Sequence, residues 1–384
     1  MMVYLDNIAT TPIDPRVFDE MLPYFKEEFG NPSSIYTIGQ GAKNAIICAR
    51  ERIASLISSK PDEIIFTSSA TEANNLAIKG IANALSKNGK HIISSSIEHI
   101  SILHPLRTLE KEGFEVTFVG VDKEARVNPN DIKKALRDNT ILVSIQLANP
   151  ETGTIQPIKE IAKVIKGRSI IFHTDAVAAC GRIPINVNEL CVDTLTISGH
   201  QFYGPKGVGC LYVRKGTRLY PEIEGGIQEK GRRGGTENVA SIVGMGKAAN
   251  LVMSEMEEWD RHILKLQNML IDGIFKNCDG VYLNSPKEAL PGIINLSFDF
   301  VEGESLLISL DLEGICVASG SPCVSTSLKA SHVLSAMGIS PVLAHSSLLF
   351  SLGKENKESD IGHLLNVFPS ILKRLRLMSP LAKR

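Results

Sequence analysis

Four short segments hold side chains that can do chemistry if the fold brings them together. Phe66-Thr-Ser-Ser-Ala70-Thr71-Glu72-Ala-Asn-Asn75 runs from a β-branched stretch into a helical one, and Ser69 with Glu72 has the spacing of a capping box. Such a helix start leaves backbone N–H groups free to bind phosphate, and Ala70 and Thr71 stand where the anion would touch. A capped helix without a ligand also fits the segment, because any α/β protein has several. Ile170-Ile-Phe-His173-Thr-Asp175-Ala176 ends a buried strand on an aspartate, at the end where open α/β sheets gather ligands. That carboxylate can hold a protonated pyridine nitrogen, or it can simply cap a following helix. Thr196-Ile-Ser198-Gly-His200-Gln201-Phe-Tyr-Gly204-Pro-Lys206-Gly207 sets a hydroxyl and an imidazole before a tight, glycine-bounded turn. Cys323 lies in Ser319-Gly-Ser-Pro-Cys323-Val-Ser, a Gly/Ser/Pro loop that offers exposure to a thiolate.

Alternating elements must position these groups. From about residue 60 to 215, β-branched runs at Glu63–Thr67, His91–Ser95, Glu115–Val121, Ile141–Leu147, Ser169–Thr174, Thr194–Ser198 and Val208–Val213 alternate with helical stretches near Glu72–Leu85, Ile100–Glu112 and Ile158–Lys166. This pattern predicts an α/β fold with a mostly parallel sheet of seven strands, covered on both faces. A long helical stretch, Val239–Phe275, leads into a smaller α/β region. The expected division is a large domain over 15–255 and a small one built from 1–14 and 256–384, which carries the Cys323 loop. No repeat, low-complexity tract or Pro-rich linker separates them.

Composition narrows the partners. The chain has 384 residues and is 43% hydrophobic, and its 41 Lys plus Arg nearly cancel its 42 Asp plus Glu. No global field attracts nucleic acid or an anionic membrane, so neither is expected as a partner. No apolar run approaches the roughly 20 residues of a membrane helix, and a soluble cytoplasmic protein is the expectation. Seven cysteines, odd in number and free of any CxxC pair, argue against a disulfide framework and a zinc site. Cys180, Cys191 and Cys210 fall in or beside expected strands and Cys316 ends the apolar stretch Leu306–Ile315, so all four read as core residues. The basic stretch Lys373-Arg374-Leu-Arg376 and the tail Lys383-Arg384 suit an acidic partner or a solvated helix face.

Taken in order, FTS-ATE, EH, HTDA, SGH-x-x-YGPKG, RRGGTENV and SGSPC resemble the cysteine desulfurases of the NifS/IscS type, and the resemblance spans essentially the whole chain. It implies a class V aminotransferase of pyridoxal-phosphate fold type I, a homodimer that holds pyridoxal phosphate between its two domains. By resemblance, Ala70, Thr71, Ser198 and His200 cradle the phosphate and Thr236 reaches it from the other subunit. His99 stacks on the ring and Asp175 binds its nitrogen. Cys323 takes sulfur from substrate cysteine as a persulfide and passes it to an acceptor.

The chain also departs from the pattern that it resembles. Where the family places the Schiff-base lysine, this sequence has Gln201, which has neither a nucleophilic amine nor a basic nitrogen. Pro150 stands in place of an asparagine that donates to the cofactor, and Ala178 in place of a glutamine. Leu349 replaces the arginine that grips the substrate carboxylate, a bidentate contact leucine cannot make. The expectation is a desulfurase homologue that handles sulfur for iron–sulfur cluster assembly with weak or lost desulfurase activity. Any bound pyridoxal phosphate would be non-covalent, and Cys323 would act as persulfide carrier or as ligand to a cluster shared with a scaffold protein or other sulfur acceptor. The alternative is an active pyridoxal-phosphate enzyme, its lysine displaced, that releases sulfur from L-cysteine and leaves alanine.

Overall fold

The computed structural model describes residues 2–319 and 330–379. Its largest sheet has seven strands: β2 (Ile64–Thr67), β3 (His91–Ser95), β4 (Glu115–Val119), β5 (Thr140–Ser144), β6 (Ile171–Asp175), β7 (Thr194–Ser198) and β8 (Gly209–Val213). They follow β1, the pair Val3–Tyr4, in the chain. Their spatial order is β2-β8-β7-β6-β5-β3-β4. β2, β3, β5, β7 and β8 are buried at every residue, as expected of strands with helices on both faces. All neighbours in the run β4-β3-β5-β6-β7 are parallel. β8 is antiparallel to both β7 and β2. Only residues 199–208 separate β7 from β8, which is too short for a parallel crossover. Because β8 reverses twice, β2 runs in the direction of β7, and the carboxyl ends of β2, β3, β5, β6 and β7 lie along one edge.

Helices complete the layers. The 39-residue helix Val239–Asn277 is buried almost continuously from Ala240 to Val252, then only at Trp259, Ile263, Leu266, Leu270 and Ile274, the spacing of one helical face. Gly246 explains its close approach to the helix Thr37–Leu56, since a Cβ there would lie 2.7 Å from the Ala49 Cα. Beyond it come β9 (Val281–Leu283), β10 (Ile293–Phe298), β11 (Ile315–Cys316) and β12 (Ser347–Ser351). β9, β10 and β12 form a three-stranded sheet in which β10 is antiparallel to both neighbours. β1 pairs in parallel with β11.

Three expectations are corrected. Cys191 is exposed, because it ends a short helical turn in the left-handed region at φ 55°. Cys316 is only partly buried, on the two-residue edge strand β11, whereas Cys180 and Cys210 are core residues as expected. Arg376 is no free surface charge, since its guanidinium donates to the carbonyls of Asp279, Gly280 and Asp299. Lys383 and Arg384 lie outside the described residues.

Candidate active site

The carboxyl ends of the sheet strands open on a cavity of about 250 Å³. Ala70, Thr71, His99, Asp175, Ser198, His200 and Gln201 line it together, as do Pro150, Ala178 and Leu349. These residues span the chain from 70 to 349, and strand direction alone brings most of them to one edge.

Part of its wall is the start of a helix, where backbone groups face outward. Ser69, extended at φ −170°, caps the helix Ala70–Leu85, its Oγ accepting from the Glu72 amide at 3.2 Å. The expected reciprocal half of the box is shifted by one residue, for the Glu72 carboxylate accepts from the Ser68 amide at 2.9 Å and from Arg233 Nε at 2.8 Å. Burial alone would raise the Glu72 pKa, but Arg233 and Ser68 hold it below the usual carboxylate range. The Ala70 and Thr71 amides are left for an anion. Gly209 of β8 makes room for this turn, since a Cβ there would meet the Ser69 carbonyl carbon at 2.4 Å and the Ala70 nitrogen at 2.7 Å.

Asp175 ends β6 and is buried. No helix follows it, so the helix-cap reading gives way to a turn in which Oδ1 accepts from the Val177 amide at 2.9 Å. Oδ2 accepts from Asn74 Nδ2 at 2.8 Å. Asn74 also donates to Ser101 Oγ at 2.8 Å, and Ser101 Oγ lies 2.7 Å from His99 Nδ1. Because the Ser101 amide also donates to His99 Nδ1, at 3.2 Å, that nitrogen is an acceptor and the neutral ring carries its proton on Nε2. Burial raises the Asp175 pKa and lowers that of His99, each opposed by the other's charge. Burial, with the Lys206 cation behind it, likewise lowers the His200 pKa.

Sequence reasoning missed this Asn74–Ser101 bridge and the acids behind the cleft. Glu98 is fully buried, accepts from Ser95 Oγ at 2.5 Å and from the Gln146 amide at 3.0 Å, and has its pKa pushed up to about 8 by burial. Glu151 lines the cleft, accepts from Ser331 Oγ at 2.5 Å, and has its pKa raised by burial. A usable signal existed: Asn74 falls four residues after Ala70, on the same helix face, and Glu98 directly precedes His99.

Where Gln201 meets the cavity the wall has no amine. Gln201 closes the short turn Gly199–Gln201 and is 8% exposed. Its Nε2 donates to the Ile8 carbonyl at 2.8 Å, whereas its Oε1 has no partner. Among the described lining residues there is no lysine or arginine, and Lys206 is exposed outside the cavity. Leu349 is buried on β12. Thr236 does not join this cleft on its own chain; it is exposed in a neighbouring hollow with Phe66, Gly207 and Arg233. Cys323 lies outside the described residues.

The fold and this edge-on cleft define a protein of the pyridoxal-phosphate fold type I kind, and comparison places it further. The chain belongs to the family described as Aminotransferase class-V, whose profile matches residues 3–364. Within it the chain is similar to cysteine desulfurases of the IscS/NifS type. It is 53% identical over 379 residues to the cysteine desulfurase IscS of Dictyoglomus turgidum, covering 98% of this chain and 96% of that one. It is 48% identical to cysteine desulfurase IscS 1 of Archaeoglobus fulgidus over the full length of both. A solved NifS-like protein superposes with a TM-score of 0.92 at 37% identity, covering 98% of this chain and 100% of the other.

The family implies pyridoxal phosphate, and the residues present fit it in part. Backbone amides at Ala70 and Thr71 suit the phosphate and buried Asp175 suits a protonated ring nitrogen. Gln201 has no amine for the aldehyde; its Nε2 donates to the Ile8 carbonyl and its Oε1 is buried without a partner.

Proposed function

We propose that this chain handles sulfur for iron–sulfur cluster assembly with weak or lost desulfurase activity of its own. The observation that carries the reading is the cleft wall at Gln201, where an amide stands and no lysine or arginine is found among the described lining residues. Pyridoxal phosphate, when bound, supplies an electron sink for bonds at the substrate α-carbon. In this reading Ala70, Thr71, Ser198 and His200 hold its phosphate, Asp175 its ring nitrogen and His99 its ring face, without covalent attachment. Thr236 contributes from a second copy of the chain. Large and small domains are taken as 15–255 and 1–14 with 256–384. The IscS names of the relatives support sulfur transfer to an acceptor. Cys323 is proposed as the thiol that carries persulfide or ligates a cluster shared with a scaffold protein, a role a thiolate fills without pyridoxal chemistry.

The same names favour a second reading, an active cysteine desulfurase with a displaced lysine. Sulfide and alanine release from L-cysteine, measured on metal-free protein with excess pyridoxal phosphate, separates the two. Release far below that of a Gln201→Lys/Leu349→Arg variant is expected. Turnover by the parent chain, together with a pyridoxyl-lysine after borohydride reduction, would establish the second reading instead.

A further inference from the structure

We infer that Lys354 is a positioning residue for the cleft, acting through Tyr203 to fix the turn that carries His200 and Gln201. The inference rests on the reading above that His200 holds the ligand's phosphate, and it adds what holds His200.

The chain just after that turn is strained. Tyr203 has φ at 65°, in the left-handed region that a bulky side chain rarely adopts. Such a residue persists only where its surroundings over-determine it, and here they do. Its amide donates to Thr11 Oγ1 at 2.8 Å, and its carbonyl accepts from the Asp14 amide at 3.0 Å. Its hydroxyl accepts from the Lys354 amide at 2.7 Å. Gly353 allows that approach, since a Cβ there would lie 3.0 Å from the Tyr203 hydroxyl and 2.4 Å from Asn7 Oδ1. The Tyr203 ring meets the Trp259 ring edge-on at 5.2 Å. Above both lies the Lys354 ammonium, 4.4 Å from the Tyr203 centroid and 4.6 Å from that of Trp259, where it also donates to Asp14 Oδ2.

Neither Tyr203 nor Lys354 lines the cavity, but what they hold does. Thr11, which accepts from the Tyr203 amide, donates to the His200 carbonyl from its own amide at 3.0 Å and from its hydroxyl at 2.8 Å. Gln201 Nε2 is tied to the Ile8 carbonyl at 2.8 Å. Segments 8–14 and 200–203 are therefore bonded into one unit, which brings Ile8, Ala9, His200 and Gln201 to the cavity wall. Lys354 comes from beyond β12 and grips this unit twice, at Tyr203 through its backbone and at Asp14 through its side chain. That side chain is 8% exposed and Asp14 is buried, so salt screens the pair little.

The test compares Lys354→Met and Lys354→Arg with the parent, as full-length chains, by amide hydrogen exchange and by isothermal titration with pyridoxal 5′-phosphate. Methionine keeps an unbranched chain and removes the charge. It leaves Asp14 paired, because Arg16 still donates to Oδ1 at 3.0 Å and to Oδ2 at 2.9 Å, so the variant is expected to fold. Lys354→Met should speed exchange in peptides covering 199–204 by about tenfold relative to those of β3 and β5, the effect of one lost charge-assisted hydrogen bond. It should also weaken pyridoxal 5′-phosphate binding by about fivefold or more. Lys354→Arg, which keeps a cation over the two rings, should bring both to within about threefold of the parent. Unchanged exchange at 199–204 overturns the inference, and so does acceleration spread evenly over the chain, which would make Lys354 a residue of general stability. Selective acceleration with undiminished affinity overturns the link to the cleft. Absence of binding by the parent refutes the phosphate reading instead, and the exchange data alone then decide whether Lys354 positions the turn.

Discussion

Replacing Gln201 by lysine should separate attachment of the cofactor from turnover. Position 201 is 8% exposed, and the side chain there already donates to the Ile8 carbonyl. Lysine is one methylene longer than glutamine, so its amine reaches past that carbonyl into the cleft, where burial lowers its pKa and frees the nucleophilic form. Pyridoxal phosphate should then become fixed to residue 201, as borohydride reduction and peptide mass spectrometry would report. Substrate is a different matter. Leu349 is held in place by its amide and carbonyl, both paired with Ala318 at 2.7 and 3.1 Å, and it presents only hydrocarbon to the cavity. A substrate carboxylate without a bidentate cation forfeits about 2–5 kcal/mol, which is about 30- to 4,000-fold in kcat/KM. The assay compares sulfide release by Gln201→Lys with that by Gln201→Lys/Leu349→Arg, and the double variant should exceed the single one by a factor in that range. Equal rates in the two would refute the reasoning, since the carboxylate would then be held from elsewhere.

The structure implies several further outcomes. Leu349→Arg alone should destabilise the chain in urea by about 3–5 kcal/mol, because it buries an unpaired guanidinium, and added L-alanine should recover part of the loss by supplying a carboxylate. Gly209→Ala should displace the Ser69–Ala70 peptide and weaken binding of phosphorylated pyridines, with a stability loss of about 1–3 kcal/mol measured by urea unfolding. Glu98 titrates near 8 when folded and near 4.5 when unfolded, so its contribution to stability is fully present below about 4.5 and is lost as pH rises through 8. Urea titrations of the parent and Glu98→Gln should diverge over that window, the parent losing stability relative to the variant as pH rises. Cys323→Ser should abolish persulfide loading, read by mass spectrometry after incubation with a sulfur donor, while circular dichroism stays unchanged.

The sheet was legible because its strands are short apolar runs separated by helical periods, and both signals are local. Boundaries shifted where tertiary pairing decides them. The hydrophobic run of β5 continues to Leu147, but β5 ends at Ser144 because pairing with β3 stops there, while the Ile145 and Leu147 amides still bond the carbonyls of His173 and Asp175. The helix after β2 begins at Ala70, directly after the Ser69 cap that its spacing with Glu72 indicates, although its apolar periodicity becomes readable only from about Glu72. Motif order located the cleft residues that the resemblance names, most of them at or just after a strand end, but not Ile8, Ser101 or Gln146. It did not reveal the Asp175–Asn74–Ser101–His99 connection, whose members lie up to 101 residues apart and meet only through packing. Nor could a local pattern show that Gln201 leaves its oxygen unpaired, which depends on the position of the Ile8 carbonyl.

Retained and altered positions differ in what else they do for the fold. Ser69 caps a helix, His99 caps the helix Ile100–Lys111, Asp175 holds a turn and Asn74, and the His200 carbonyl accepts from Thr11. Each of these would be kept for stability whether or not a ligand binds, so their presence alone argues weakly for pyridoxal chemistry. Gln201, Pro150, Ala178 and Leu349 stand where the resemblance expects side chains whose roles are towards cofactor or substrate. Those positions are free to drift once the chemistry is relaxed. Thr236 breaks the division. It matches the resemblance, yet it is exposed and its side chain makes no hydrogen bond among the described residues. Among the described residues nothing gives it a structural task, and a phosphate held across a second copy would give it one. A Thr236→Val variant that folds normally but binds phosphorylated pyridines about fivefold or more weakly would tie this threonine to the ligand. Unchanged affinity would place Thr236 with the drifting positions and remove the strongest argument that the cleft still works as a cofactor site.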